Sequence, residues 1–306
     1  MNLVARSFSA ALVALAGFAA IPAHAEDMTI KHAQGETAVP AKPEKVIVFD
    51  LAALDMLDRL GIAAAGVPAG PKPSHLSKYT ADDIAKVGTL FEPDYETVNA
   101  AEPDLIIVGG RSAAKYPELA KIAPTVDLTV DSKDILGSVE KNAQIIGTIF
   151  DRQADAKAEI EKLDADIAAL KEKAAGKGKG LLILTTGGKV SAYGPGSRFG
   201  ILHDVFGIEP AAPDLSIGNH GQPISHEFIL QTNPDWLFVI DRDAAIGREG
   251  ASAKQVLDND LVRQTNAWKN EQVVYLDGAN WYLANGGLTA LHQTVDQISQ
   301  ALDKAK

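Results

Sequence analysis

The sequence contains no cysteine. That absence excludes disulfides, zinc–thiolate sites and a cysteine nucleophile, and it removes the residue through which an exported chain could be lipid-anchored at its N-terminus. Beyond residue 25 there is no apolar stretch long enough to cross a bilayer. Positive charge is in short supply. Lys and Arg number 29 against 40 Asp and Glu, for a net charge of -11. Such a surface suits neither nucleic acid nor an anionic membrane, although it leaves room for a local basic pocket. Catalytic signatures are also missing: there is no His-Glu-x-x-His, no Gly-x-Ser-x-Gly and no Gly-Lys-Ser/Thr phosphate loop.

What is present begins with the N-terminus. Arg6 supplies a positive start, Phe8 to Ile21 an alanine-rich apolar run, and Ala23-His24-Ala25 a small-x-small cleavage site. The three together read as a secretory signal peptide over residues 1–25, too short for a membrane span. The mature chain is expected to start near Glu26, soluble and free in the periplasm of a double-membraned bacterium. Losing Arg6 takes its net charge from -11 to about -12.

Apolar runs alternate with helical patterns along the rest. Lys45 to Asp50, Leu105 to Val108 and Thr125 to Val130 read as strands of a first lobe, residues 26–150. A short helix over Asp55 to Leu60, stopped by Gly61, lies between the first two. Strands alternating with helices argue for a parallel sheet. Two helical patterns follow, near Ile135 to Phe150 and Arg152 to Ala175. In the second, Ile160, Leu163, Ile167, Leu170 and Ala174 recur at spacings of three and four, which predicts a long amphipathic linker helix over residues 151–176. Strands resume at Leu181 to Thr185, Trp236 to Ile240 and Val273 to Leu276. A helix near Leu288 to Leu302 closes a second lobe, residues 177–306.

The lobes share an internal echo. Glu96 precedes Pro103-Asp104 by seven residues, and eight residues separate Pro103 from Arg111; Glu227, Pro234-Asp235 and Arg242 repeat both offsets. Each apolar strand would then end on an arginine at the carboxyl edge of its sheet, where ligands of open α/β sheets bind. Arg198 adds a third, in the loop Gly194-Pro-Gly-Ser-Arg-Phe-Gly200. Three guanidinium groups from separate segments would make a focused pocket for an oxyanion. The glycine loop lacks dinucleotide spacing, so a dinucleotide site is disfavoured. His220, flanked by Gly218-Asn219 and Gly221, with His226 six residues further on as the other histidine of the segment, and the pair Trp281-Tyr282 after the strand over 273–276 complete the candidates. A phenol oxygen ionises readily on a highly charged metal such as Fe(III).

At these residues the chain resembles the periplasmic binding proteins for ferric siderophores, the group with a rigid helical backbone between its lobes, and within it the catecholate binders. The likeness is carried by Gly218 to Leu230, Asn233 to Arg242, Tyr275 to Gly287 and the Arg111 and Arg198 loops. It implies two Rossmann-like, three-layer α/β lobes joined by a single long helix, with the ligand cleft between them. It implies that Arg111, Arg198, Arg242 and Trp281 face an anionic ferric siderophore. It further implies that His220 and Tyr282 ligate the iron when the siderophore supplies only four oxygens. Glu96 and Glu227, one per lobe, would dock on the permease of an ABC importer. No reaction, no intrinsic cofactor and no oligomer is implied. A haem or corrinoid receptor of the same fold is the alternative, since haem also carries carboxylates and takes His or Tyr ligands. A secreted metal-dependent hydrolase is disfavoured by the missing catalytic spacings.

Overall fold

The computed structural model describes residues 27–304; the expected signal segment lies outside them. After a hairpin of β1 (Met28–His32) and β2 (Gly35–Val39), five short strands form the first sheet. They are β3 (Val46–Val48), β4 (Gly66–Val67), β5 (Ala85–Lys86), β6 (Leu105–Val108) and β7 (Thr125–Asp127), all parallel in the order β5-β4-β3-β6-β7. β3, β4 and β6 are buried throughout, as a sheet covered on both faces requires. The order of connection reverses between β3 and β6, so a crevice opens beyond their carboxyl ends. At that point Asp50 caps the helix Leu51–Arg59, its Oδ1 accepting the Ala53 N–H at 2.9 Å. The strand expected to reach Val130 stops at Asp127. The Asp127 carboxylate accepts the Thr129 N–H and hydroxyl at 2.9 and 2.5 Å and turns the chain.

The second sheet is mixed. β8 (Lys179–Thr186), β9 (Lys189–Tyr193), β10 (Glu209–Pro210), β11 (Gln222–Ile224), β12 (Trp236–Asp241) and β13 (Val273–Tyr275) run in the order β11-β9-β8-β12-β13, with β10 beside the start of β8. β8, β10, β12 and β13 pair parallel, whereas β9 is antiparallel to both β8 and β11. The reversal is made by Gly187-Gly188, both at positive φ, in a two-residue hairpin turn.

The internal echo is structural. Asp104 and Asp235, each opening its strand, accept a backbone N–H at the start of the neighbouring strand. The donors are Lys45 at 2.8 Å and Lys179 at 2.9 Å. Each also donates its own N–H to that residue's carbonyl, at 2.9 Å in both lobes.

Between the sheets, the helix Ile135–Phe150 ends on Asp151 in the left-handed region, and the connector helix Gln153–Ala174 follows. Its predicted stripe, Ile160, Leu163, Ile167, Leu170 and Ala174, is buried. The closing helix Leu288–Lys304 packs on the connector and on the helix Leu51–Arg59. His292 Nδ1 lies 3.0 Å from Asp166, Lys173 reaches Asp303 at 2.8 Å, and Arg59 reaches Glu159 at 2.9 Å. One apolar cluster therefore runs unbroken from Leu54 through Leu163 and Leu170 to Leu182, Trp236 and Leu291. The last helix belongs to the second lobe by sequence order and leans on the first by packing. Among the described residues no helix is long and apolar enough to cross a membrane.

Candidate functional site

The site is assembled around Tyr282. The segment Asp277 to Leu283 follows β13, and the Asp277 carboxylate accepts the N–H groups of Ala279 and Asn280 at 3.0 and 3.1 Å. Ala279–Leu283 then forms one π-helical turn, closed by the Ala284 N–H on the Ala279 carbonyl at 3.2 Å. Such widened turns push a side chain out of helical register and recur at functional sites. Here the turn separates neighbours: Trp281 goes inward and Tyr282 stays half exposed.

Three arginines converge on that tyrosine. Arg111 Nη2 donates to the Tyr282 carbonyl at 2.6 Å and Arg198 Nη2 to the same carbonyl at 2.8 Å. Arg242 Nε donates to the phenol oxygen at 2.8 Å. All three guanidinium carbons also lie over the ring, at 5.2, 4.7 and 5.1 Å from its centroid. Arg111 leaves the carboxyl end of β6 in the first lobe. Arg242 leaves the end of β12 and Arg198 the loop after β9, both in the second. Arg111 and Arg242 therefore bridge the lobes from the carboxyl edges of both sheets, and Arg198 joins them from a loop whose strand runs the opposite way.

Its electrostatics follow from this crowding. Burial is the largest influence on the Tyr282 phenol and opposes ionisation. The Arg242 hydrogen bond and the charges of Arg242, Arg198 and Arg111 together outweigh it and hold the phenol below its ordinary value. Arg198 is held below its usual value by desolvation first and by repulsion from Arg111 second. Burial raises the enclosed carboxyl of Asp50, across from Gly109 at the crevice, although the Ala53 N–H and Arg111 pull the other way. Asp243 leans towards Arg242 at 3.7 Å, but its oxygens also take the Gly187 N–H at 2.5 Å and the Thr186 hydroxyl at 3.0 Å.

Trp281 does not face the cleft. Its ring is 2% exposed and meets Phe199 edge-on at 6.2 Å. An indole has the apolar area to fill the space beneath the Arg198 loop, so the expectation of a ligand-facing Trp281 is corrected to a supporting one. His220 lies in the exposed loop between β10 and β11. Among the described residues, no hydrogen bond or ion pair joins it to the arginine cluster. The loop nevertheless runs beside the site. A Cβ on Gly221 would sit 2.8 Å from the Tyr193 ring, and Tyr193 feels the charges of Arg198, Tyr282 and Arg242. Glu96 and Glu227 are exposed in the first turns of the short helices Tyr95–Ala100 and His226–Thr232, capped by Asp94 and Ser225.

The glycine loop holds no phosphate cradle. The Gly196 N–H donates to Asp204 Oδ2 at 2.7 Å, and a Cβ on Gly200 would sit 2.6 Å from the same oxygen, so a protein carboxylate fills the place of an anion. Sequence reasoning missed Thr186, whose hydroxyl takes Arg242 Nη1 at 3.2 Å, and Asn285, whose amide holds the Arg198 carbonyl at 3.2 Å. Asn285 sat inside a segment already singled out; Thr186 gave no signal beyond ending a strand. A polar cavity of about 290 Å³ opens elsewhere, at the end of β7, lined by His32, Asp127, Asp131, Asp134 and Lys141 among others. Its acids serve local turns: Asp131 takes the Lys133 N–H and Asp134 the Gly137 N–H.

With this geometry in view, comparison with known proteins is decisive. Residues 46–279 match the family model described as periplasmic binding protein. The chain belongs to that family. Among its curated members, the petrobactin-binding protein YclQ of Bacillus subtilis is 46% identical over 284 residues, covering 91% of this chain and 89% of the relative. The ferric-anguibactin-binding protein FatB of Vibrio anguillarum is 34% identical, covering 89% and 86%. The crystal structure of YclQ superposes with a TM-score of 0.89 over 91% of this chain and 99% of that one. The periplasmic catecholate-siderophore binding protein VctP of Vibrio cholerae gives 0.85 at 34% identity, covering 90% and 100%. The two-lobed periplasmic binding protein architecture expected from the sequence is the one observed.

Proposed function

We propose that this periplasmic binding protein captures a ferric siderophore, an anionic catecholate complex, between its lobes and delivers it to an ABC importer. The observation that carries the reading is the convergence of Arg111, Arg198 and Arg242 from both sheets on one phenol, with no carboxylate hydrogen-bonded to any of the three guanidinium groups among the described residues. Three like charges over one ring repel one another, and the charge of Arg111 already helps to hold Arg198 below its usual value. A multiply charged oxyanion relieves that repulsion and takes the free guanidinium donors. FatB is named for ferric anguibactin, VctP for a catecholate siderophore and YclQ for petrobactin, which supports the same ligand class here.

Iron is cargo in this scheme. Tyr282 is the one phenol held among the three guanidinium groups, and His220 rides on an adjacent loop. The pair offers two donors, which suits a ferric complex whose siderophore fills four positions. Glu96 and Glu227 stand at equivalent places on the two lobes and suit a two-fold permease surface. The physical role is capture and hand-over, with no chemistry on the ligand.

The test is a fluorescence titration of the mature protein with ferric tetradentate and hexadentate catecholates, a ferric hydroxamate and haem. Trp281 lies under the site and reports occupancy without touching the ligand. Tight catecholate binding, weakened more for the tetradentate complex by Tyr282→Phe and His220→Ala, is the expected result. Preference for haem or hydroxamate, or indifference to both substitutions, would overturn the ligand assignment.

A further inference from the structure

Asp55 is a carboxylate where a carboxylate is costly. It is 0% exposed, on the helix Leu51–Arg59 between Leu54 and Met56, which are both core residues. Its partners lie across the molecule. Oδ1 accepts the Thr289 N–H at 2.7 Å and Oδ2 the Ala290 N–H at 3.0 Å, 234 and 235 positions away in the chain. His75 Nε2 lies 2.6 Å from Oδ2 and holds the group from behind. Thr289 and Ala290 are in the first turn of the closing helix, where N–H groups have no partner within the helix and the dipole favours negative charge. The residues ahead of that helix, Gly286 and Gly287, have no side chain with which to cap it. The cap is therefore supplied by the first lobe.

The two glycines make the contact close. A Cβ on Gly287 would lie 2.6 Å from Asp55 Cγ, and one on Gly286, at φ +100, would lie 2.9 Å from Val130 Cγ2. The chain between Tyr282 and the closing helix is thus pressed onto the first lobe at two points. Arg111, also of the first lobe, holds the Tyr282 carbonyl itself.

We propose that Asp55 is a positioning residue for the ligand site: by capping the closing helix from the opposite lobe, it fixes the Tyr282 turn where the arginines of both lobes can reach it. The effect on ligand affinity rests on the function proposed above; the effect on the turn does not.

The test uses the mature protein carrying Asp55→Asn, which keeps one acceptor oxygen but turns an NH2 donor towards the other N–H group. Val262→Ala, in the separate apolar cluster of the second lobe, serves as a destabilised control. Native-state hydrogen exchange is followed at the Trp281 and Ala284 amides, which close the Tyr282 turn on Asp277 and Ala279. Asp55→Asn should quicken both by about tenfold beyond the change in global stability, and weaken a ferric catecholate by about tenfold. Val262→Ala should do neither. Faster exchange confined to the first turn of the closing helix, with the Tyr282 turn unchanged, would reduce Asp55 to a stabilising cap and overturn the proposal. If the wild type binds no ferric catecholate, the functional reading fails while exchange still decides the latch. Should Asp55→Asn not fold, Thr289→Pro removes one donated N–H in the first turn, where no bond within the helix is lost, and the same pattern is expected in weaker form.

Discussion

At the scale of single residues, the site is defined by three guanidinium groups held close, with Asp243 at 3.7 Å from Arg242 as a partial counter-charge. Replacing Arg198 by Ala should weaken an anionic ferric complex by about tenfold to a hundredfold, since a charge-assisted hydrogen bond contributes about 1.5–3 kcal/mol. The loss should be larger at low salt, where screening is weak; equilibrium titration at two ionic strengths checks both. Tyr282 gives a pH signature. Its folded-state value lies below the ordinary 10.0, so ionisation favours the folded protein. That contribution is complete above the unfolded value and is lost as pH falls through the folded one. Denaturant midpoints of wild type and Tyr282→Phe, measured near neutrality and near pH 10, should therefore diverge further in favour of wild type at the alkaline end. The convergence of the three arginines was legible from their places after strands. Trp281 was not, because adjacency to Tyr282 in the chain says nothing about which of two neighbours a π-turn sends inward.

At the scale of elements, the connector is the piece to perturb. Leu163 is 1% exposed at the centre of its buried stripe, so Leu163→Ala should cost about 3 kcal/mol of stability by cavity formation, read by denaturant unfolding. The helix Ile135–Phe150 and the connector stripe were visible in the sequence because amphipathic periodicity over many residues is a strong signal. β4 and β5, two residues each, carry no periodicity at all and exist through pairing with β3 and its neighbours. The antiparallel β9 had a local sign, Gly187-Gly188 between two strand-like runs, that outweighs any expectation of a uniformly parallel sheet. The hairpin β1–β2 was hidden by polar residues such as Lys31 and Glu36 on its exposed face.

At the scale of the whole molecule, two lobes joined by a packed helix should move little. Solution scattering with and without a ferric catecholate should show rotation of a few degrees, because hinge closure needs a loose segment that this connector does not provide. Charge reversal at Glu96 or Glu227 should leave affinity unchanged and abolish uptake in a transport assay, since each is exposed in the first turn of a short helix and makes no hydrogen bond to the three arginines among the described residues. The apolar cluster that threads both lobes through the connector has a thermodynamic corollary. Each half completes part of its interior against the other, so the two should unfold together. Calorimetry should record one endotherm with equal calorimetric and van't Hoff enthalpies, and a chain severed at Gly176 should yield two fragments that acquire structure only in each other's company.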